Sequence, residues 1–377
     1  MNIGIVCYPT YGGSGIVATE LGKSLAKKGH QIHVISYQQP VRLDVFKQNI
    51  SYHEVNVSDY PLFEYQPYES ALCSKLVDVA IYEKLDIIHV HYAIPHAPAA
   101  YMAQQILKSK GIEIPFVTTL HGTDITLVGN NESFEPVISF SLEQSNAVTA
   151  VSESLKTDTY KYFQIEKEIQ VIHNFISLPD YDRFDIDPEF IERFAKNGER
   201  IVMHSSNFRK IKRVEDVVAV FDKIQQEIPA VLVLLGDGPE RSTIQNLCRK
   251  RKICHKVFCT GKIKKVEKVL KIADLFLMTS GSESFGLAAL EAMAAQTPVV
   301  STNIGGLPEC NKDGYSYTCD LGDIDCMAEK SIEILESTDV LEKRKKQAYD
   351  HAKTFEKEKI IPQYEELYYS LIDNEKK

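Results

Sequence analysis

Glu283 and Glu291 stand eight residues apart in Gly281-Ser-Glu-Ser-Phe-Gly-Leu-Ala-Ala-Leu-Glu-Ala-Met-Ala-Ala-Gln-Thr-Pro298. A carboxylate accepts hydrogen bonds from paired hydroxyls, and a nucleotide sugar carries such diols at both ends with a diphosphate between them. Glu283 could take the sugar and Glu291 the ribose; the plainer alternative is that Glu291 is an exposed helical acid, the commoner fate of a glutamate. The loop Ser205-Ser-Asn-Phe-Arg-Lys-Ile-Lys-Arg213 ends with four cations in five residues. Such a loop is either a solvated surface or, between a strand and a helix N-terminus, a diphosphate site. His121 ends an apolar strand beside Gly122-Thr-Asp124, where an open sheet places its ligands. In Tyr8-Pro-Thr-Tyr-Gly-Gly-Ser-Gly15, the amides from Gly13 and the Ser14 hydroxyl open a helix and suit a donor phosphate or an acceptor carboxylate.

The elements that position these residues read as two successive β-α-β series. In the first half, strands are expected over 2–7, 31–36, 85–92, 116–120, 147–151 and 169–172, with helices over 16–28 and from Ser152. Apolar periodicity lapses between 173 and 188, where Pro and Asp accumulate, and the domain connection is placed there. In the second half, strands are expected over 200–204, 230–235, 256–261, 273–280 and 297–302. A helix over 214–226 follows the basic loop, and another begins near Phe285 with Ser284 as its N-cap. Residues 360–372 form an apolar-faced helix expected to pack back on the first domain.

At 377 residues the chain suits two domains of doubly wound size, and a net charge of −9 argues against a general nucleic-acid binder. There is no run of eighteen apolar residues and the first strand starts at once, so the reading is a soluble, cytoplasmic chain without membrane insertion. Homo-oligomerisation is left open. The eight cysteines form no Cys-x2-Cys pair and read as free thiols; the spacing of Cys248, Cys254 and Cys259 fits no common zinc site. His89 and His91 share one face of a strand, as a metal pair would, but no acid follows at ligand spacing. Gly13-x-Gly15-x-x-Ala18 matches the dinucleotide fingerprint formally. An NAD-dependent oxidoreductase is set aside because the first glycine comes too late after the strand and no acid closes the second strand.

Glu283-x7-Glu291 within Ser-Phe-Gly-Leu-Ala-Ala-Leu-Glu-Ala-Met-Ala resembles the signature of the retaining GT-B glycosyltransferases of family four. The likeness covers nearly the whole chain: the glycine loop, His121-Gly-Thr-Asp, the Arg/Lys loop, Gly236-Asp-Gly-Pro and the two-glutamate helix occur in the expected order. It implies an α/β fold of two Rossmann-like, doubly wound domains facing a central cleft. Residues 1–175 would bind the acceptor and 176–356 the nucleotide sugar, with the helix at 357–377 returning to the first domain. The stretches at 7–22, 88–96, 118–126 and 206–213 are similar to the branch of the family that joins UDP-GlcNAc to the hydroxyl of L-malate, the first step of bacillithiol biosynthesis.

By that resemblance Arg209 and Lys212 neutralise the donor diphosphate, Ile263 meets the uracil and Glu291 the ribose. Glu283, Ser284 and the Phe285-Gly286-Leu287 amides hold the sugar and its phosphate, Gly13 lies by the donor, and His121 contacts the sugar. His121, Glu283, Arg209 and Lys212 form the catalytic set. The family's usual Gly-Arg before the diphosphate lysine is replaced here by Ser206-Asn-Phe-Arg209, which leaves Arg209 and Arg213 as alternatives. Ser14, Tyr92 and Thr119 match residues that hold the acceptor. A dicarboxylate also calls for a cation, for which Arg42 is the candidate beside its reading as a surface arginine. No cofactor and no metal is implied. Front-face attack retains the anomeric configuration, and domain closure excludes water. The rival readings are a family-four enzyme with a lipid or glycan acceptor and a GT-B-like sugar-nucleotide epimerase. Against a lipid acceptor, the aromatic stretch 60–68 carries Asp59, Glu64 and Glu69 in and beside it rather than cations.

Overall fold

The computed structural model of the chain describes residues 1–9, 13–43, 48–57, 66–127, 131, 133–184, 188–263, 265–311 and 315–375. The chain divides into two compact units: Met1–Phe175 with Lys357–Lys377, and Ile176–Glu356. Among the described residues the first unit holds β1 (Asn2–Val6), β2 (Gln31–Ser36), β3 (Ile50–Glu54), β4 (Ile87–His91), β5 (Phe116–Leu120), β6 (Ala147–Ala150) and β7 (Ile169–Val171). They form one sheet in the order β3-β2-β1-β4-β5-β6-β7, with every pairing parallel. The second unit holds β8 (Arg200–Ser205), β9 (Ala230–Leu235), β10 (Val257–Gly261), β11 (Leu275–Met278), β12 (Val299–Thr302) and β13 (Tyr317–Cys319). Its order, β10-β9-β8-β11-β12-β13, repeats the same pattern.

Parallel strands covered on both faces read as unbroken apolar runs, and every residue of β4, β5, β9, β11 and β12 is buried. In each sheet the order reverses beside the first strand, between β1 and β4 and between β8 and β11. That crevice at the strands' carboxyl ends is where open α/β sheets bind ligands.

The helix Lys357–Glu375 completes the first unit. Its Tyr364 and Tyr368 are buried, the latter donating toward His89 Nδ1 at 2.6 Å, and Glu365 pairs with Lys28 and His30. No helix of the described residues is long and apolar enough to cross a membrane.

Three features depart from the sequence reading. Cys319, the last residue of β13, is disulfide-bonded to Cys326 in the first turn of the helix Ile324–Leu335. The intervening turn brings their Cα atoms to 6.1 Å, within bridging range, so these two are not free thiols. The helix after β11 begins at Leu287, two residues past Phe285, and its N-cap is Gly286 rather than Ser284. The backbone at Gly286 is left-handed (φ 96°), and a Cβ there would stand 2.6 Å from Leu307 Cδ2. The edge strands β3 and β13 were not foreseen.

Candidate active site

In the first unit the site residues cluster beyond β1, β4 and β5. Tyr92 immediately follows β4 with φ 94°, a conformation that costs a bulky residue about 1–3 kcal/mol. Its surroundings hold it there: its N–H donates to Thr119 O at 2.9 Å, and Ser14 Oγ donates to its hydroxyl at 3.2 Å. Its ring lies 5.4 Å from that of His121 and edge-on to Tyr8 at 5.2 Å. The structure therefore joins Ser14, Tyr92 and His121 in one contiguous group.

Asp124 ties the loops together. This buried carboxylate accepts from the N–H groups of Ala93 (2.8 Å), His121 (3.2 Å) and Gly122 (2.9 Å), fixing the chain after β4 against the chain after β5. Burial raises its pKa, and these amide bonds oppose the rise. His121 in turn meets His91, with Nε2 and Nδ1 2.8 Å apart. Burial drives His121 and His89 down to about 3 and His96 to about 4, so these imidazoles are neutral at pH 7. His121 therefore acts as a neutral hydrogen-bonding group, not a cation.

Thr119 is buried within β5, its hydroxyl 2.6 Å from both His89 Nε2 and Thr149 Oγ1. It supports Tyr92 through its carbonyl, and its side chain is engaged inside the sheet. Both ring nitrogens of His89 are likewise committed to hydrogen bonds, as is Nδ1 of His91. Arg42 is half-buried in the turn Pro40–Leu43 after β2. Residues 58–65, most of the aromatic stretch, lie outside the described residues, as do Thr10, Tyr11 and Gly12 of the glycine loop. Sequence reasoning missed the aromatic group at these strand ends. Tyr8 contacts Tyr37 (6.4 Å) and His96 (4.7 Å), and Tyr37 contacts Tyr68 (5.6 Å). Burial pushes Tyr8 up to about 12, which keeps its hydroxyl protonated. The available signal was position, since Tyr8 and Tyr37 each fall just past a strand.

In the second unit the loops after β8 and β11 interlock. Thr279 Oγ1 donates to the carbonyls of Lys212 (3.1 Å) and Arg213 (2.9 Å), and Gly281 N–H donates to Ile211 O at 2.8 Å. Across this seam Lys212 Nζ is ion-paired with Glu283 Oε1, which also accepts from Ser280 Oγ at 2.9 Å. Two glycine pairs clasp the loops. A Cβ on Gly236 would stand 1.8 Å from Ser206 O, one on Gly238 2.0 Å from Asn207 O, one on Gly305 2.1 Å from Glu283 O and one on Gly306 2.2 Å from Ser284 O. Gly306 N–H also donates to Glu283 O at 2.9 Å. Gly305-Gly306 was not singled out from the sequence; a glycine pair just past β12 was its signal.

Phe208 adopts φ 40°, and its fully buried ring offsets that strain, since burying a phenylalanine contributes about 1.5–3 kcal/mol. Arg209 beside it is exposed. Arg213, at φ 47°, is bonded to Asp216, with Nε to Oδ2 at 2.6 Å. Glu291 is half-buried one turn into the helix Leu287–Ala294, whose first-turn amides face outward from its N-terminus. Ile263 is half-buried just beyond β10, near the turn where Gly236 N–H meets Gly261 O at 2.9 Å.

The arrangement offers cations, helix amides and carboxylates in the second unit, and hydroxyls with neutral imidazoles in the first. Comparison with known proteins gives the same picture. Residues 11–179 match the family described as Glycosyltransferase Family 4, and residues 185–351 the family Glycosyl transferases group 1. The chain is 45% identical to the N-acetyl-alpha-D-glucosaminyl L-malate synthase of Bacillus anthracis, over 100% of this chain and 98% of that protein. Its fold is similar to a glycosyltransferase of Rickettsia africae (TM-score 0.81, 20% identity, 99% of each chain). It is also similar to Anabaena HepE bound to UDP and glucose (TM-score 0.80, 19% identity, 98% of this chain and 100% of that one).

Proposed function

Because this chain belongs to the group 1 and family 4 glycosyltransferases, we propose that it transfers N-acetylglucosamine from UDP-GlcNAc to the hydroxyl of L-malate and releases UDP. The observation that carries the choice of substrates is its likeness to the malate synthase along the full length of both proteins. The expected place of this reaction is the first step of bacillithiol biosynthesis.

The second unit takes the donor. Arg209, exposed while Arg213 is held by Asp216, is the diphosphate arginine and acts with Lys212 and the amides at Phe285 to Leu287. Glu291 binds the ribose, Glu283 and Ser284 the sugar, and Ile263 packs on the uracil. The first unit takes malate. Ser14 and Tyr92 orient its hydroxyl, Arg42 holds its carboxylates, and Thr119 sets Tyr92 from behind, while Gly13 lies by the donor. His121 offers its neutral imidazole to the substrates.

The bond from the anomeric carbon to the diphosphate breaks as the malate oxygen forms its bond on the same face. The departing phosphate oxygen takes the malate proton, so the configuration is retained. Each well-placed donor on the leaving group contributes about 3 kcal/mol of transition-state stabilisation. These charges do the work that a divalent ion does elsewhere.

The test is UDP release from UDP-GlcNAc with L-malate, D-malate or no acceptor, each with and without EDTA. Turnover that requires L-malate and persists in EDTA is expected. Conversion of UDP-GlcNAc without acceptor would point to an epimerase, and loss in chelator restored by magnesium or manganese would refute the metal-independent mechanism.

A further inference from the structure

Among the described residues, one group of three metal-ligating side chains stands close together, and it is none of those the sequence suggested. His33 on β2, His53 on β3 and Glu83 have ligand atoms all within 4.8 Å of one another. Sheet register explains the histidines. Ile35 lies opposite His53, so His33, two residues earlier, is its diagonal neighbour on the same face. His33 Nδ1 and His53 Nε2 are 3.0 Å apart, with ring centroids at 5.2 Å. Glu83 follows the helix Tyr68–Tyr82, which packs on β2, and its N–H caps that helix by donating to Val79 O at 2.9 Å.

We propose that His33, His53 and Glu83 bind one divalent first-row transition ion, zinc being the natural occupant of two imidazoles and a carboxylate. Two nitrogens on a tetrahedral zinc, each bonded at 2.0–2.1 Å, stand about 3.3 Å apart. The pair therefore needs to open only slightly, and exposed Glu83 can swing in at little cost. Burial lowers the pKa of both imidazoles, leaving the neutral form that ligates metals. The cation replaces the hydrogen bond between the two nitrogens; the ring that donates it carries its proton on its other nitrogen instead, so both ligate as neutral imidazoles. Water, or Asp78 in its loose 4.0 Å pair with Lys75, completes the coordination.

A histidine pair that merely satisfies its own hydrogen bonds needs no acid; a dication does, and Glu83 is it. Glu83 stands at the end from which β4 starts, and none of the three side chains is among the proposed substrate-binding residues. The ion therefore clamps edge strand β3 to the helix Tyr68–Tyr82 and takes no part in glycosyl transfer.

The experiment titrates metal-stripped full-length protein with zinc against a chromogenic chelator, and with cobalt by absorption, for the wild type, His53→Gln and Glu83→Gln. The wild type should bind one equivalent more than about tenfold tighter than either variant. Its melting temperature should rise with zinc while theirs does not, and the cobalt spectrum should lack a thiolate charge-transfer band. Both variants should keep wild-type turnover, which shows them folded. Equal titrations in all three proteins, no bound equivalent in the wild type, or a thiolate spectrum placing the ion at Cys248, Cys254 or Cys259 would overturn the site.

Discussion

Lys212 and Glu283 stand 71 residues apart in sequence and are joined by an ion pair from Nζ to Oε1, so that the cation proposed for the diphosphate and the acid proposed for the sugar hold each other. Both side chains are only partly exposed, at 22% and 12%, so solvent screening weakens the pair less than it would on an open surface. On the proposed assignment, donor binding divides this pair between two ligand groups.

The two acids should therefore respond differently. Glu291→Ala is expected to weaken UDP and UDP-GlcNAc alike, by about ten- to a hundredfold, because both ligands carry the ribose. Glu283→Ala should weaken UDP-GlcNAc and leave UDP unchanged or bound more tightly, since Lys212 is released to the diphosphate. Calorimetric titration of both ligands decides it; equal loss of UDP affinity in the two variants would reject the assignment.

Gly305→Ala tests the clasp. Its Cβ would fall 2.1 Å from Glu283 O, and Gly305 has φ 59°, so backbone must move. A loss of at least about tenfold in kcat/KM is expected, appearing chiefly in the KM for UDP-GlcNAc, with the malate KM nearly unchanged. A variant with normal donor kinetics would show that the Glu283 loop does not depend on this contact.

On the acceptor side, Arg42→Ala should raise the KM for malate by about ten- to a hundredfold, the worth of one charge-assisted bond of about 1.5–3 kcal/mol, and spare the KM for UDP-GlcNAc. Tyr92→Phe should do less. If Arg42→Ala leaves malate kinetics intact while Ser14→Ala abolishes them, the carboxylates rest on the amides at Gly13 to Gly15 instead.

Acid should unfold the first unit before the second. His89 and His121 titrate at about 3 and His96 at about 4 in the folded chain, against 6.5 when unfolded. Because their folded values are depressed, their contribution is fully present above about pH 6.5 and falls as the pH drops toward 4. Each depressed imidazole adds about 1.4 kcal/mol of lost stability per pH unit over that window, and the first unit holds three of them close together. In the second unit burial holds His204 low, at about 4. Hydrogen exchange at pH 5 should show β4 and β5 losing protection before β8 and β9.

The central strands were legible because burial on both faces leaves continuous apolar runs, as in Ala230–Leu235 and Phe116–Leu120. The strands missed lie at sheet edges: Ile50-Ser-Tyr-His-Glu54 is half exposed and polar, and Tyr317–Cys319 has three residues. Residue types at strand ends exposed Glu283, Lys212 and His121. Nothing local marked Asp124 as the anchor of two loops, because its partners Ala93 and His121 come from different strand ends. The Ser284 cap was misplaced because Ser is a good cap by type, whereas the path here is set by left-handed Gly286 and by burial of Phe285 against Phe355 at 5.4 Å. That Lys212 and Glu283 would meet depended on the interlock of two loops, which no spacing records.

The helix Lys357–Glu375 gives the chain an unusual order of assembly on the ribosome. Tyr364 and Tyr368 form part of the first unit's interior, yet they are synthesised after every residue of the second unit. The usual rule that the domain made first also folds first is therefore inverted. The second unit can close as soon as Glu356 has emerged, while His89 and its neighbours wait for a hydroxyl that arrives last. Until then the nascent first half lacks the side chains that cover His89 and its neighbours.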